Sequence, residues 1–161
     1  MRSSIGIEVA ASASTVYNLA HEVERWPEML PHYRSVTVRS RDHNGVVADL
    51  RATRRLGPLR IPVGWRSRSW SDGSEADDLR LRFVHLAGPT RGMDVTWHIR
   101  PTGGTSCSAV IVHDFSRHLP LLGDELFPRI VDRWFTRPIA GQTLRSFKAL
   151  AERAAERAKS A

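Results

Sequence analysis

FPRIVDRWFTRPIAGQTLRSFKALAERAAERAK, residues 127–159, reads as a long amphipathic helix. Phe127, Ile130, Val131, Trp134, Phe135, Leu144, Phe147, Leu150, Ala151 and Ala154 recur at helical spacing, with Arg129, Asp132, Arg133, Lys148, Glu152, Arg153 and Arg157 between them. A broad apolar stripe of this length has to be buried against a large partner. The deciding stretch runs from about Leu119 to the C-terminus, with its helical part after a loop at 120–124. Pro138 and Gly141 lie within it, which predicts a bend or break there.

The preceding chain supplies the partner, as strands. Residues 3–9 alternate as a first strand; Ser12 or Ser14 then caps a helix carrying Val16, Leu19, Ala20 and Val23. Trp26-Pro27 is expected to stop that helix, and Glu28 to Pro31 allows one more short turn. Val36 and Val38 mark a second strand, and Val46, Ala48, Leu50 and Ala52 a third after the turn Asn44-Gly45. The fourth spans about Arg60 to Ser71, with Ile61, Val63, Trp65, Ser67 and Ser69 on one face and Gly64, Arg66, Arg68 and Trp70 on the other. After Asp72-Gly73-Ser74, the fifth places Leu79, Leu81, Phe83 and His85 in one row. The sixth alternates Met93, Val95, Trp97 and Ile99 with polar residues. The seventh sets Ala109, Ile111, His113 and Phe115 on one face, but Val110 and Val112 make its other face apolar too, so periodicity does not orient it.

The predicted class is α+β: a curved antiparallel sheet of six or seven strands wrapped around a long C-terminal helix, with two short helices after the first strand. One helix does not fill a strongly curved sheet, so a cavity between them is expected. The length of 161 residues fits one domain, 1–161, without repeats or low-complexity tracts. No apolar run reaches the roughly 20 residues of a membrane span, so no stable membrane insertion is expected. The N-terminus alternates like a strand instead of carrying a signal-peptide pattern, and Cys107 is the lone cysteine, which points to a cytoplasmic protein without an internal disulfide. The net charge is +7, carried almost wholly by arginine, with only Lys148 and Lys159 as lysines. A basic surface attracts acidic partners, although the codon usage of a GC-rich genome gives the same skew. No zinc-finger, RNP or helix-turn-helix pattern accompanies the charge, so nucleic acid is not the expected partner. His21, His32, His43 and His118 are scattered, no metal-ligand spacing is present, and no nucleophile elbow is visible.

Five segments, taken in order, carry a family resemblance: VAASASTVYNLAHEVERWPEMLPHYRSV at 9–36, WRSRSWSD at 65–72, GPTRGMDVTW at 88–97, VHDF at 112–115 and TLRSFKALAE at 143–152. Together they resemble the helix-grip proteins of the START/Bet v 1-like superfamily, and within it the polyketide aromatase/cyclases and related cyclase/dehydrases. The resemblance implies a cavity holding a hydrophobic ligand, with His113 facing inward. It places Ser69 where such proteins usually carry a catalytic arginine, with Arg68 one residue earlier, and Ser146 near the position of a helix acid.

The expected catalytic set is His113, Arg68 and Tyr33. A histidine with a pKa near 6.5 can move protons, a tyrosine can hydrogen-bond a ligand oxygen, and an arginine can stabilise an oxyanion. Strict alternation puts Arg66 and Arg68 on the outer face; a bulge near Ser67 would turn Arg68 inward. The expected ligand wall is Trp26, Trp65, Ser67, Ser69, Phe83, Met93, Val95, Trp97, Ile111, Phe135, Gln142 and Ser146. The same aromatics also serve as ordinary core filling. The implied activity is regiospecific aldol cyclisation and dehydration of a poly-β-keto chain, with no cofactor and with an acidic acyl carrier protein as partner. The alternative is a non-catalytic carrier of a quinone or other lipid in the same cavity.

Overall fold

The computed structural model describes residues 1–72, 77–115 and 129–160. The loop at 120–124, Gly73, Ser74, His118 and Phe127 lie outside the described residues. Seven strands, β1 (Arg2–Val9), β2 (Tyr33–Asp42), β3 (Gly45–Leu56), β4 (Leu59–Ser71), β5 (Leu79–Ala87), β6 (Met93–Gly103) and β7 (Ser106–Phe115), form one curved antiparallel sheet in the order β1-β7-β6-β5-β4-β3-β2. Between β1 and β2 lie α1 (Ala13–His21), a 3-10 turn (Val23–Arg25) and α2 (Trp26–Met29). A helical turn at 129–131, a π-helical segment (Asp132–Thr136) and α3 (Arg137–Lys159) follow. No helix among the described residues is long and apolar enough to cross a membrane.

Alternation assigns the two faces of the sheet. Ala48, Leu50 and Ala52 of β3, Leu81 and Phe83 of β5, Met93, Val95, Trp97 and Ile99 of β6, and Ala109, Ile111, His113 and Phe115 of β7 are all buried on the concave side. On α3, Ala140, Thr143, Leu144, Phe147 and Ala151 recur with a period near 3.6 and close that side. Phe147 packs edge-on to Trp26 at 5.9 Å and to Trp97 at 6.0 Å, a burial that stabilises by roughly 1.5–3 kcal/mol. On the convex face Asp49 accepts from Arg66 and Arg39 at 2.6 Å each, and Asp78 sits 3.1 Å from both His98 and Arg100. Part of the arginine excess is therefore neutralised along the outside of the sheet.

Two boundaries differ from the sequence expectation. Trp26-Pro27 does not stop α1; that helix, capped by Ser12 accepting from the Thr15 N–H at 3.1 Å, ends at His21, and Trp26-Pro27 opens α2. Proline is tolerated in a first turn because no intrahelical acceptor awaits its missing N–H there. Likewise Pro138 and Gly141 do not break the long helix. Pro138 stands in the first turn of α3, and the irregularity falls before it, where the Arg137 N–H reaches back five residues to the Asp132 carbonyl. Gly141 is a contact position: a Cβ there would lie 3.1 Å from Ile5 Cδ1, so the glycine lets α3 approach β1 closely. Gly45, by contrast, is a conformational requirement. Its φ is +114°, and a Cβ would collide with the Ser69 carbonyl oxygen.

Candidate functional site

The space between sheet and helix is a cavity of about 90 Å³. Its sheet wall consists of Leu50, Val63, Trp65, Phe83, His85, Met93, Val95, Trp97, Ile111 and His113, with Tyr33 and Trp26 at one side. Phe135, Thr136, Ile139, Ala140 and Thr143 cover it, and Thr90 reaches it from the β5–β6 turn. Of the twelve residues expected to form the ligand wall, Trp26, Trp65, Phe83, Met93, Val95, Trp97, Ile111 and Phe135 come together here, as do His113 and Tyr33. Pro138 has no N–H to offer the Trp134 carbonyl, and in the turn before it the Arg137 N–H bonds the Asp132 carbonyl five residues back; Phe135 and Thr136 of that turn line the cavity.

The polar groups in this wall are neutral. His113 is 5% exposed, and burial outweighs the attraction of Asp132 to lower its pKa to about 4. Its Nδ1 is buried without a hydrogen-bond partner among the described residues. His85, half-buried, stacks on Trp65 at 5.7 Å and 25°, and its Nδ1 lies 2.6 Å from Thr90 Oγ1. Desolvation, helped by His113, takes its pKa to about 3. The buried His32 stands behind the wall, with Nε2 2.9 Å from Thr143 Oγ1. Because the Thr143 hydroxyl donates to the Ile139 carbonyl at 2.9 Å, His32 must donate through Nε2–H. Its unpartnered Nδ1 and a pKa lowered to about 4, mainly by burial, agree with a neutral ring. Burial pushes the Tyr33 hydroxyl far above its ordinary pKa, with a hydrogen bond to Thr143 acting the other way. Trp26 Nε1 and Thr136 Oγ1 are also buried and unpartnered among the described residues.

Five expected site residues lie elsewhere. Ser67 is buried, but its hydroxyl donates to the Val84 carbonyl at 3.2 Å and it does not reach the cavity. Arg68 and Ser69 line a separate open groove of about 1130 Å³ beside the β2–β3 turn and the 3-10 turn. A bulge does occur near Ser67, since Arg66 pairs with Ala87 and Ser67 with His85. The extra residue is Leu86 on β5, so β4 keeps its alternation and Arg68 is not turned inward. Gln142 and Ser146 fall on the flank of α3, about 100° around from the buried positions Thr143 and Phe147.

The wall also includes residues outside the expected set. His85 shares the inward row of Phe83 and was accessible to the alternation argument. Leu50 and Val63 follow from the same argument on β3 and β4. Thr90 sits in a turn, where no periodicity operates, and Thr136, Ile139, Ala140 and Thr143 depend on how the π-helical segment rotates α3. Among the described residues no cluster of three His, Cys, Asp or Glu side chains could hold a metal ion.

Comparison with known proteins places this geometry in a family. Residues 9–138 match the family described as polyketide cyclase/dehydrase and lipid transport. A Streptomyces cyaneus protein, provisionally named a polyketide cyclase, is 31% identical over 100 residues, and the match spans 60% of each chain. The crystal structure of an aromatase/cyclase from Streptomyces sp. R1128 superposes with a TM-score of 0.71 at 18% identity, covering 95% of this chain and 94% of that one. A START superfamily protein from Mycobacterium smegmatis gives 0.62 at 20% identity, with 97% of each chain covered. The fold is therefore the helix-grip fold. The chain belongs to the polyketide cyclase/dehydrase and lipid transport family.

Proposed function

We propose that this family member binds a flat or folded poly-β-keto molecule in the cavity and promotes one aldol ring closure, followed by dehydration. The observation that carries the reading is the wall itself: among the described residues it presents the side chains of six Trp, Tyr and Phe, no charged side chain, and polar atoms on Trp26, His113 and Thr136 that lack partners. Buried polar groups without partners complement a ligand bearing several oxygens, and rings complement its conjugated plane. In the closure an activated methylene carbon loses a proton and attacks a ketone carbon, whose oxygen gains a proton; loss of water then forms the double bond. His113 is the candidate to receive and return that proton, with Tyr33 holding an oxygen.

A base with a pKa of about 4 is weak at neutral pH. Most of the acceleration in this proposal comes from holding the chain in a reactive fold. A cavity of about 90 Å³ is also well below the roughly 300 Å³ of an ordinary ligand pocket, so the substrate has to widen it on binding. Incubation with a minimal polyketide synthase is the test. The protein should shift the product profile toward one cyclised product, and His113→Ala should reverse the shift. An unchanged profile with the wild-type protein would refute the proposal. Substrates delivered on an acidic acyl carrier protein fit the basic surface.

The neutral histidines and uncharged wall also favour a second reading, transport of a quinone or other lipid without chemistry. Native mass spectrometry of the purified protein separates the two. A co-purifying apolar molecule together with an unchanged polyketide profile supports the carrier.

A further inference from the structure

Among the described residues the cavity wall holds no charged side chain, yet a cation lies against one of its rings. Arg54 lies on the inward row of β3, two residues beyond buried Ala52, whose partner Val63 lines the cavity. The Arg54 guanidinium carbon is 5.8 Å from the ring centroid of Trp134 and 5.9 Å from that of Phe135, itself a wall residue. Its Nε and Nη1 are shut off from water and have no hydrogen-bond partner among the described residues. Ring faces interact with the charge of a guanidinium but leave its in-plane N–H donors unused. Several cations on the convex face, by contrast, have a carboxylate partner: Arg66 and Arg39 with Asp49, Arg100 with Asp78. Asp132, on the helical segment that carries both rings, is already taken by Arg137 at 3.2 Å and by the Ser3 hydroxyl at 2.6 Å. Beside Phe135, the Thr136 hydroxyl is a further unpartnered group of the wall.

A cation with open, desolvated donors next to an apolar chamber suits a ligand with an apolar body and an anionic end. We infer that Arg54 is the head-group site of the cavity, and that the preferred ligand is a flat aromatic or polyketide-like molecule carrying a carboxylate. The inference rests on the reading of the cavity as a ligand chamber. Two carboxylate oxygens match the fork of guanidinium donors, a geometry that a lysine ammonium does not reproduce. Trp134, 44% exposed, is the ring that yields to admit the carboxylate, while Phe135 stays in the wall.

Two probes with one ring system and different ends test this. The affinities of 2-naphthoate and 2-naphthol are measured by calorimetry on the full chain at physiological salt. 2-Naphthoate should bind at least tenfold more tightly. Arg54→Met should weaken 2-naphthoate at least tenfold while changing 2-naphthol less than twofold, and Arg54→Lys should recover only part of the loss. Equal affinities in the wild-type protein overturn the head-group site while leaving the chamber intact. A preference that survives both Arg54→Met and Arg54→Gln also overturns it, by assigning the effect to the general positive surface. Failure of both probes to bind removes the chamber, and the head-group site with it. If Arg54→Met does not fold, Arg54→Lys decides: full retention of 2-naphthoate affinity rules out fork-specific recognition.

Discussion

His113 shows how one residue responds to its surroundings. In water its ring would be half protonated near pH 6.5; in the wall it stays neutral until about pH 4. The unfolded chain therefore takes up the proton first as pH falls. Stability contributed by the neutral ring is fully present above about pH 6.5 and is lost between there and about pH 4, at up to roughly 1.4 kcal/mol per pH unit. His32, also held to about 4, and His85, held to about 3, add losses of the same sign. Urea midpoints should fall from pH 7 to pH 5, and His113→Gln should make that fall shallower. A His113 ring resonance that titrates near 6.5 by NMR would contradict the buried geometry. Thr143 offers a second test at this scale. Thr143→Val keeps the shape but removes the acceptor of His32 Nε2–H, leaving a buried donor unpaired at a cost of about 1–3 kcal/mol in urea unfolding.

Among the elements, the segment from Asp132 to Thr136 is the one most closely tied to the cavity. Pro138→Ala restores an N–H and allows an α-helical ladder through the turn, which would rotate Phe135 and Thr136 away from the wall. The variant should lose about tenfold in 2-naphthol affinity by calorimetry while its thermal midpoint stays equal or rises. Retained affinity together with an unchanged π-helical turn in its structure would show that the irregularity does not depend on the proline. The β2–β3 hairpin makes a purely structural counterpart. Gly45→Ala forces a side chain toward the Ser69 carbonyl from a positive φ and should cost on the order of 1–3 kcal/mol, with 2-naphthol binding kept.

At the level of the whole molecule, a wide curved sheet is closed by one helix, and the leftover space is small. Ala140 lies on that helix, 7% exposed and facing the cavity. Ala140→Leu should fill the space, change stability by no more than about 1–3 kcal/mol, and abolish 2-naphthol binding. Binding that persists in this variant would place the ligand elsewhere, the larger groove lined by Arg68 and Ser69 being the alternative.

Alternation and helical period are local properties of the chain, and they carried the strands, the covering helix, and the inward rows that hold Trp65, Phe83, Val95 and Trp97. Periodicity left the orientation of β7 open, because both its faces are apolar; the family resemblance turned His113 inward, and pairing with β1 and β6 in the curved sheet puts it in the concave row. Other features needed tertiary structure for the same reason. Which strand absorbs an extra residue is decided between strands, so Leu86 took the bulge and Arg68 stayed off the cavity. Which flank of a helix faces inward is decided by what it packs on, so Thr143 entered the wall while Gln142 and Ser146 did not. The placement of Arg54 beside two rings is likewise a relation between β3 and a helical segment far along the chain. Sequence specified the elements and their apolar faces; contacts between distant segments decided which polar groups meet the cavity.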